Sequence, residues 1–510
     1  MTQTVKEFTG LRGVLFPIHL YEIKKFLPMG LMMFFMLFNY NILRDTKDTL
    51  VVNAAGAEAL SLIKLIGTVP GAIIIMLIYS KLSNIFSREN LFYVTLMPFI
   101  IFFGLFAFVI YPNQDLLHPS TEWIENLTNN YPRFKTILSV YGSWSYAVFY
   151  VLSELWGSVV LSLLFWQFAN EIVRMREAKR FYALFGMIAN FGLIAAGLTV
   201  TYFSSIRSHV PVGVDPWGMT LNYLMGAVVL AGLTIISIYW WINRNVLTDK
   251  RYYDPAENVP KKKKVKMSLK DSFFYLIKSK HLGLIALIVI CYGISINVVE
   301  AVWKDQIMRV YSNENDYNAF MGHFTTMTGI ITIICMLIGS NIMRVFGWLV
   351  SAILTPLMIL VTGLLFFGFV NLKDQLELFT LTFFAMTPTV LAVWLGFSQN
   401  ILSKATKYSL FDPTKEMCYI PLDQESKIKG KAAVDVVGGR LGKSGGSFIQ
   451  QFLLFFTGST LVGISPYLAG ILVVTIGIWF IATRGLNRSL NNLQNPVENV
   501  TKQPVTEILA

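Results

Sequence analysis

Long apolar stretches alternate with short polar segments along the whole chain. A membrane-spanning helix needs about 20 mostly apolar residues, and twelve stretches approach or exceed that length. The pattern therefore predicts an all-α polytopic membrane protein with twelve transmembrane helices. The predicted spans are 27–43, 61–80, 91–111, 138–168, 181–204, 220–242, 281–303, 320–343, 346–370, 379–403, 432–457 and 461–483.

A long lysine-rich interruption divides the predicted spans six and six. Weak internal similarity favours the same division, because Lys47-Asp48 after the first span matches Lys304-Asp305 after the seventh. Two parallel halves around a midplane site are the major-facilitator arrangement. The predicted domains are an N-terminal tail (1–26), a six-helix bundle (27–242), a basic linker (243–280), a second six-helix bundle (281–483) and a C-terminal tail (484–510).

The composition excludes a large soluble enzyme. The 510 residues are 54% hydrophobic and only 14% charged, whereas soluble proteins carry roughly 25% charged residues. The net charge of +12 is not a nucleic-acid signal, because the basic residues cluster in a few loops beside apolar spans. Most of the 42 Lys and Arg residues lie in the two tails and in the loops on their side. Both termini are therefore predicted to be cytoplasmic.

Ionisable residues within the apolar spans, or clustered directly behind one as Arg44–Asp48 are, mark a candidate site, since each costs about 2.5–3.5 kcal/mol at a helix centre on insertion scales. We expect their cations to line a cavity with excess positive charge, which a polyanion would neutralise. Phosphate suits both Arg, through bidentate hydrogen bonds, and Lys, as a point charge. The predicted phosphate-binding residues are Arg44, Lys47, Lys64, Arg440 and Lys443, and the predicted functional carboxylates are Glu154 and Glu300.

Other interpretations of these charges stay open. The cations and carboxylates could pair across helices and serve only to hold the bundle together. Lys64 could reach the headgroups from its position near a span end, and Asp45 and Asp48 could neutralise the neighbouring Arg and Lys.

The segment Gly438–Ser444 resembles a phosphate-binding P-loop but does not meet its requirements. It has three residues before Gly-Lys-Ser where the motif needs four, and no β-strand precedes it. The His and Cys residues are scattered, so the sequence predicts no metal site, no cofactor and no enzyme activity. A surplus of cations inside the membrane also argues against a drug–proton antiporter with cationic cargo.

The string Asn39-Tyr-Asn-Ile-Leu-Arg-Asp-Thr-Lys-Asp-Thr-Leu-Val-Val52 closely resembles the ATP/ADP translocases of obligate intracellular bacteria and plastids. The similarity covers roughly residues 20–485, with the blocks in the family order, and chlamydia-like members look most similar. Further matching blocks are Ser153–Ser158, Phe168–Glu171, Ala178–Tyr182, Asp215–Gly218, Asn297–Lys304, Asp423–Glu425 and Gly442–Gly446.

The resemblance implies exchange of external ATP for internal ADP, in some members with phosphate, across a bacterial inner membrane. Its transport-essential residues fall on Lys47, Glu154, Glu300 and Lys443. A nucleotide substrate also implies a base pocket, for which the candidates are Asn41, Tyr146, Tyr150, Asn297 and Trp394. The expected partners are ATP and ADP, phosphate as an optional substrate, and the lipid bilayer, with no nucleic acid and no obligate protein partner. Relatives with similar blocks carry other nucleoside triphosphates, GTP or NAD, by exchange or proton symport. A broader nucleotide transporter is therefore the alternative.

Overall fold

The computed structural model describes residues 17–211, 213–253, 279–422, 430–431, 434 and 438–494, and no strand occurs in these ranges. Ten helices there are long and apolar enough to cross a bilayer. They are α1 (Leu20–Ala55), α2 (Glu58–Ile85), α3 (Arg88–Leu117), α4 (Trp144–Ile172), α5 (Arg180–Ser208), α6 (Pro216–Asn245), α7 (Lys280–Val310), α8 (Glu314–Gly339), α9 (Asn341–Asn371) and α12 (Leu461–Leu493).

A bent pair of helices, Lys373–Phe384 and Pro388–Met417, forms an eleventh candidate span, and the two arms meet at 80°. The sequence predicts one continuous span over 379–403, which the structure divides. The physical reason is that Ala385 adopts a left-handed conformation with φ of 52° and ends the first arm. Pro388 then begins the second arm, where its missing N–H is not needed. The second arm is α10.

The helix α11, Gly439–Thr457, has 19 residues and is not among the ten apolar helices. The span predicted here, 432–457, begins earlier, but residues 432–433 and 435–437 lie outside the described residues. The all-α, polytopic character that the sequence predicts is confirmed. The number of twelve transmembrane helices stays a prediction.

Corresponding helices in the two halves are joined in the same way. In the N-terminal half (α1–α6), the Trp156 indole of α4 donates a hydrogen bond to the Met36 carbonyl of α1 at 3.0 Å. In the C-terminal half (α7–α12), the Trp303 indole of α7 donates to the Val393 carbonyl of α10 at 2.9 Å. Both indoles are buried. In each half, therefore, a buried indole hydrogen bond joins the first helix to the fourth.

The halves touch along α5 and α8, where glycines allow the backbones to meet. A Cβ on Gly197 would lie 2.6 Å from the carbonyl oxygen of Gly322, and one on Gly322 would lie 2.8 Å from that of Gly197. Carbonyl oxygens of a helix cannot move aside as a flexible side chain can. Small residues are therefore required on both helices at this contact.

Polar bonds between the halves lie from the middle of the bundle to the end opposite the tails. At that end Gln451 donates to the Ser61 hydroxyl at 2.6 Å, and Arg207 pairs with Asp316 at 2.7 Å. In the described ranges no hydrogen bond or ion pair joins the halves at the other end, where α1 begins and α12 ends. The bonds that the described residues form between the halves therefore lie toward one end of the bundle.

Candidate functional site

The charged string Arg44–Asp48 lies inside α1 rather than beyond it. The sequence predicts that the first span ends at 43, but the helix continues to Ala55 because the apolar residues Leu50–Val52 add another buried turn. The side chains of Asp45, Lys47 and Asp48 are buried, and that of Arg44 is 17% exposed. The string therefore lies within the helical bundle, in contact with both halves.

Lys47 connects α1 to α4. Its Nζ lies 2.8 Å from Asp48 Oδ1 and 3.0 Å from Glu154 Oε1. It also lies 3.8 Å from the centre of the Tyr150 ring, a cation–π contact. Glu154 is 21% exposed although Lys47 is buried, so the carboxylate, rather than the ammonium group, reaches the space between the halves.

Asp48 connects the two halves. Its second oxygen, Oδ2, lies 2.8 Å from Lys304 Nζ on α7, and Lys304 also lies 3.2 Å from Glu300 Oε1. Glu154, Lys47, Asp48, Lys304 and Glu300 therefore form an alternating chain of five charges, which we call the charge chain. Buried ion pairs of this kind depend on every partner, because removal of one leaves an uncompensated charge.

Arg44 begins a second link between the halves. It lies 3.3 Å from Asp45 Oδ1 and donates to the Thr325 hydroxyl of α8 at 3.0 Å. Thr325 in turn donates to Asp45 Oδ2 at 2.5 Å. Asp45 thus neutralises Arg44, as the sequence-based alternative expects for the aspartates.

Lys64 does not reach the headgroups; its Nζ donates to the Asn297 side-chain oxygen of α7 at 3.1 Å. No carboxylate in the described ranges forms an ion pair with it. The side-chain amide of Asn297 also donates to the Gly293 carbonyl, and the backbone carbonyl of Asn297 accepts from Gln450 of α11 at 2.7 Å. Lys64 therefore lies where α2, α7 and α11 meet.

Two predicted cations, Arg440 and Lys443, have side chains that lie outside the described residues, although their backbone belongs to α11. The glycines around them form a close helix contact. A Cβ on Gly293 of α7 would lie 2.7 Å from the Cα of Gly442, and one on Gly446 would lie 2.8 Å from Asn297 Cβ. This stripe of α11 therefore packs on α7 beside the Lys64 contact.

The candidate base-pocket residues are dispersed. Tyr150 and Asn297 contact the charged groups, as described above. Tyr146 is bonded to Gln114 and stacks on Tyr111, away from the charge chain. Asn41 donates to the Leu37 carbonyl of its own helix at 2.7 Å. Trp394 is 43% exposed and lies against Phe320 and Phe397.

Two cations of the site are absent from the sequence prediction. Lys304 had a signal, since its Lys-Asp dipeptide repeats that of Lys47-Asp48. Lys404 on α10 had none, because it follows the predicted span 379–403 and reads as a loop residue. Its Nζ lies 4.5 Å from the centre of the Phe324 ring. With these two, the described part of the site contains five cations and four carboxylates, which leaves an excess of one positive charge among the described side chains.

A bundle of apolar helices in two halves, joined across a buried set of charges, has the major-facilitator-like fold of a polytopic membrane protein. Solved transporters share the fold: a bacterial homologue of the iron transporter ferroportin in an inward-facing state (13% identity, TM-score 0.58, 92% of this chain and 99% of that one), and a D-xylose-proton symporter (13%, 0.54, 91% and 97%).

Comparison of sequences specifies the family. The family model for the TLC ATP/ADP transporter matches residues 1–490, and the chain belongs to this family. It is 53% identical to ADP,ATP carrier protein 1 of Chlamydia pneumoniae over 96% of both chains. It is 46% identical to the protein of that name from Rickettsia bellii (98% and 99% covered) and 45% identical to the chloroplastic one of Arabidopsis thaliana (95% and 77%).

Proposed function

We propose that this protein exchanges external ATP for internal ADP, with phosphate as an optional third substrate, by alternating access and without hydrolysis. Family membership and the relatives named as ADP,ATP carriers support the substrates. The observation that carries the mechanism is the charge chain, because it places cations suited to phosphate on the bonds that join the two halves.

The phosphates bind between the halves. Arg44, Lys47, Lys64, Arg440 and Lys443 act as the phosphate clamp, and the base lies in a neighbouring pocket, with Tyr150 and Asn297 next to the clamp. Phosphate oxygens compete with carboxylates for the same ammonium groups. Glu154 and Glu300, each about one-fifth exposed, are therefore the carboxylates that the substrate displaces from Lys47 and Lys304.

Exchange becomes obligatory because the bonds between the halves at the end opposite the tails must break before that end opens. Separation at that end breaks the 2.8 Å contact of Asp48 with Lys304, and each of these buried charges then keeps only the partner in its own half, Lys47 for Asp48 and Glu300 for Lys304. A bound di- or triphosphate supplies replacement negative charge for Lys304, so the loaded protein changes conformation more easily than the unloaded one. Exchange of ATP⁴⁻ for ADP³⁻ moves net charge unless phosphate or a proton moves as well.

We further propose that the protein lies in the bacterial inner membrane with both tails in the cytoplasm. The predicted domains are then two rocking halves, 27–242 and 281–483, joined by the cytoplasmic linker 243–280, with short tails 1–26 and 484–510. In this orientation the end at which no described bond joins the halves faces the cytoplasm, where ADP binds.

The test is uptake of labelled ATP into proteoliposomes preloaded with ADP, compared with vesicles that contain buffer only. Faster uptake into ADP-loaded vesicles is expected, and equal rates would refute obligatory exchange. GTP, CTP, NAD and phosphate are offered as internal substrates in parallel, which separates an ATP/ADP exchanger from a broader nucleotide transporter. The absence of phosphate release from ATP by the same preparation is the expected control for transport without hydrolysis.

A further inference from the structure

Lys404 of α10 carries a charge that no neighbouring carboxylate neutralises. By comparison, the two lysines of the charge chain, Lys47 and Lys304, lie 2.8–3.2 Å from acidic oxygens. In the described part of the chain, Lys404 forms no ion pair within 4 Å and has only the Phe324 ring, at 4.5 Å. The charged groups that act on it from other helices are Arg44, Glu300, Lys304 and Asp45. An ammonium group within a helical bundle is costly without a negative partner.

Internal symmetry relates Lys404 to Glu154. In α4, Glu154 lies three residues before a π-helical segment, Gly157–Phe165, and in α10 Lys404 lies three residues before another, Lys407–Phe411. Such wide turns often occur at functional sites. The N-terminal half thus has a carboxylate on its fourth helix beside Lys47, whereas the C-terminal half has a second cation at the equivalent place. Among the described residues, no carboxylate lies within 4 Å of Lys404 to complete the arrangement.

Arg44 and Lys404 reach the same patch of α8 from opposite halves. Arg44 donates to Thr325 at 3.0 Å, and Lys404 covers the adjacent residue, Phe324. Arg44 comes from α1 and Lys404 from α10, and neither side chain is fully buried. An anion at this patch therefore contacts both halves at once.

We infer that Lys404, together with Arg44, binds phosphate oxygens of the substrate and supplies part of the specificity for di- and triphosphates. This inference rests on the proposed function and adds a residue to its site. Lys404 contributes a positive charge from the C-terminal half, and in this inference the phosphate oxygens of the substrate neutralise it. Its removal should therefore weaken binding of phosphorylated ligands, while the protein without ligand should become more stable, because an unpaired charge is lost.

The test compares Lys404→Gln, Lys404→Arg and a matched control, Lys407→Gln. Lys407 lies one turn further along α10 and pairs with Asp412 at 3.1 Å. Purified proteins are titrated with ATP, ADP, adenosine and inorganic phosphate, with the thermal midpoint as the readout. We expect Lys404→Gln to weaken ATP and ADP binding about 10- to 100-fold, to leave adenosine unchanged and to raise the ligand-free midpoint. Lys404→Arg should restore most of the affinity, and Lys407→Gln should stay within about twofold of the natural protein.

Retention of ADP affinity in Lys404→Gln, equal losses for ADP and adenosine, or an equal loss in Lys407→Gln would each overturn the inference. Stabilisation of the natural protein by inorganic phosphate alone, lost in Lys404→Gln, would identify free phosphate as a ligand of the same site. Lys404-dependent stabilisation by ADP only would identify the nucleotide. If the natural protein binds ADP through Lys404 but shows no ATP/ADP exchange in proteoliposomes, the proposed function fails and the inference stands.

Discussion

Asp48 lies 2.8 Å from Lys304 in the opposite half, and its other oxygen lies 2.8 Å from Lys47 in its own half. One carboxylate therefore serves two ammonium groups that belong to separate helical bundles. In the proposed mechanism α1 and α7 move with different halves, so this contact breaks when access changes. It would then join the proposed substrate-binding lysines directly to the conformational equilibrium.

Asp48→Asn should destabilise the folded protein. The amide keeps the shape of the side chain but leaves Lys47 and Lys304 without their shared acid, and loss of a partner from a buried ion pair costs about 3–5 kcal/mol. Thermal unfolding in detergent should show a lowered midpoint, with ADP-dependent exchange lost. Arg207→Gln is the control, because its pair with Asp316 is largely exposed and contributes about 0–1 kcal/mol. An unchanged midpoint in Asp48→Asn would contradict the structural importance of the shared carboxylate.

Glu154→Gln should separate binding from exchange. Glu154 competes with phosphate for Lys47, whose Nζ it approaches to 3.0 Å. Without that competition ADP should bind several-fold more tightly, by about 1 kcal/mol, while exchange slows because nothing displaces the product. Equilibrium binding and exchange rates are measured on the same preparation. Weaker ADP binding in this variant would show that the carboxylate does not act as a competitor.

A thiol cross-link across the end where Gln451 bonds to Ser61 should stop transport reversibly. The variant pair Ser61→Cys and Gln451→Cys places one thiol on each half, at side chains that contact each other at 2.6 Å. The native cysteines, Cys291, Cys335 and Cys418, are free in this structure and are changed to Ala beforehand. A short reducible bifunctional thiol reagent, which spans the length lost with the glutamine side chain, should abolish exchange, reduction should restore it, and each single-cysteine variant should be unaffected. Full exchange with the cross-link in place would mean that this end need not open.

Gly197→Ala should impair exchange far more than its size suggests. Its methyl group would lie 2.6 Å from the Gly322 carbonyl oxygen, so α5 and α8 would have to separate. Overpacking of this kind costs about 1–3 kcal/mol. Gly226→Ala on α6 is the matched control, because a Cβ there meets no atom within 4 Å. Comparable exchange rates in the two variants would argue against a tight helix contact at Gly197.

Hydrophobic patterning predicts the apolar helices well, because a bilayer demands continuous apolar length. It fails where a single backbone conformation decides the outcome. Ala385 turns the chain through a left-handed residue that no apolar pattern reveals, and α1 extends past the charges at Arg44–Asp48 because neighbouring helices cover them. Local sequence does not contain that tertiary compensation.

The candidate site, too, could be predicted from the sequence only in part. Intramembrane charge alone was enough to single out Lys47, Glu154 and Glu300, and the structure brings all three into one chain of contacts. Their pairing depends on which helices become neighbours, and Lys47 and Glu154 are far apart in sequence. Lys404 was missed because it follows the apolar run of its span, where a cation is unremarkable in sequence but not in the folded bundle.

At Gly197 and Gly322 two helix backbones come into contact, and only the short side chains of Thr201 and Thr326 lie beside them. Large side chains that interlock must disengage before helices can roll, whereas glycine and threonine leave a shallow surface. The contact between α5 and α8 can therefore act as a fulcrum, because a small tilt of one half about it moves the helix ends at the membrane faces much further. The hinge between the halves would then lie where the two helices carry their smallest residues.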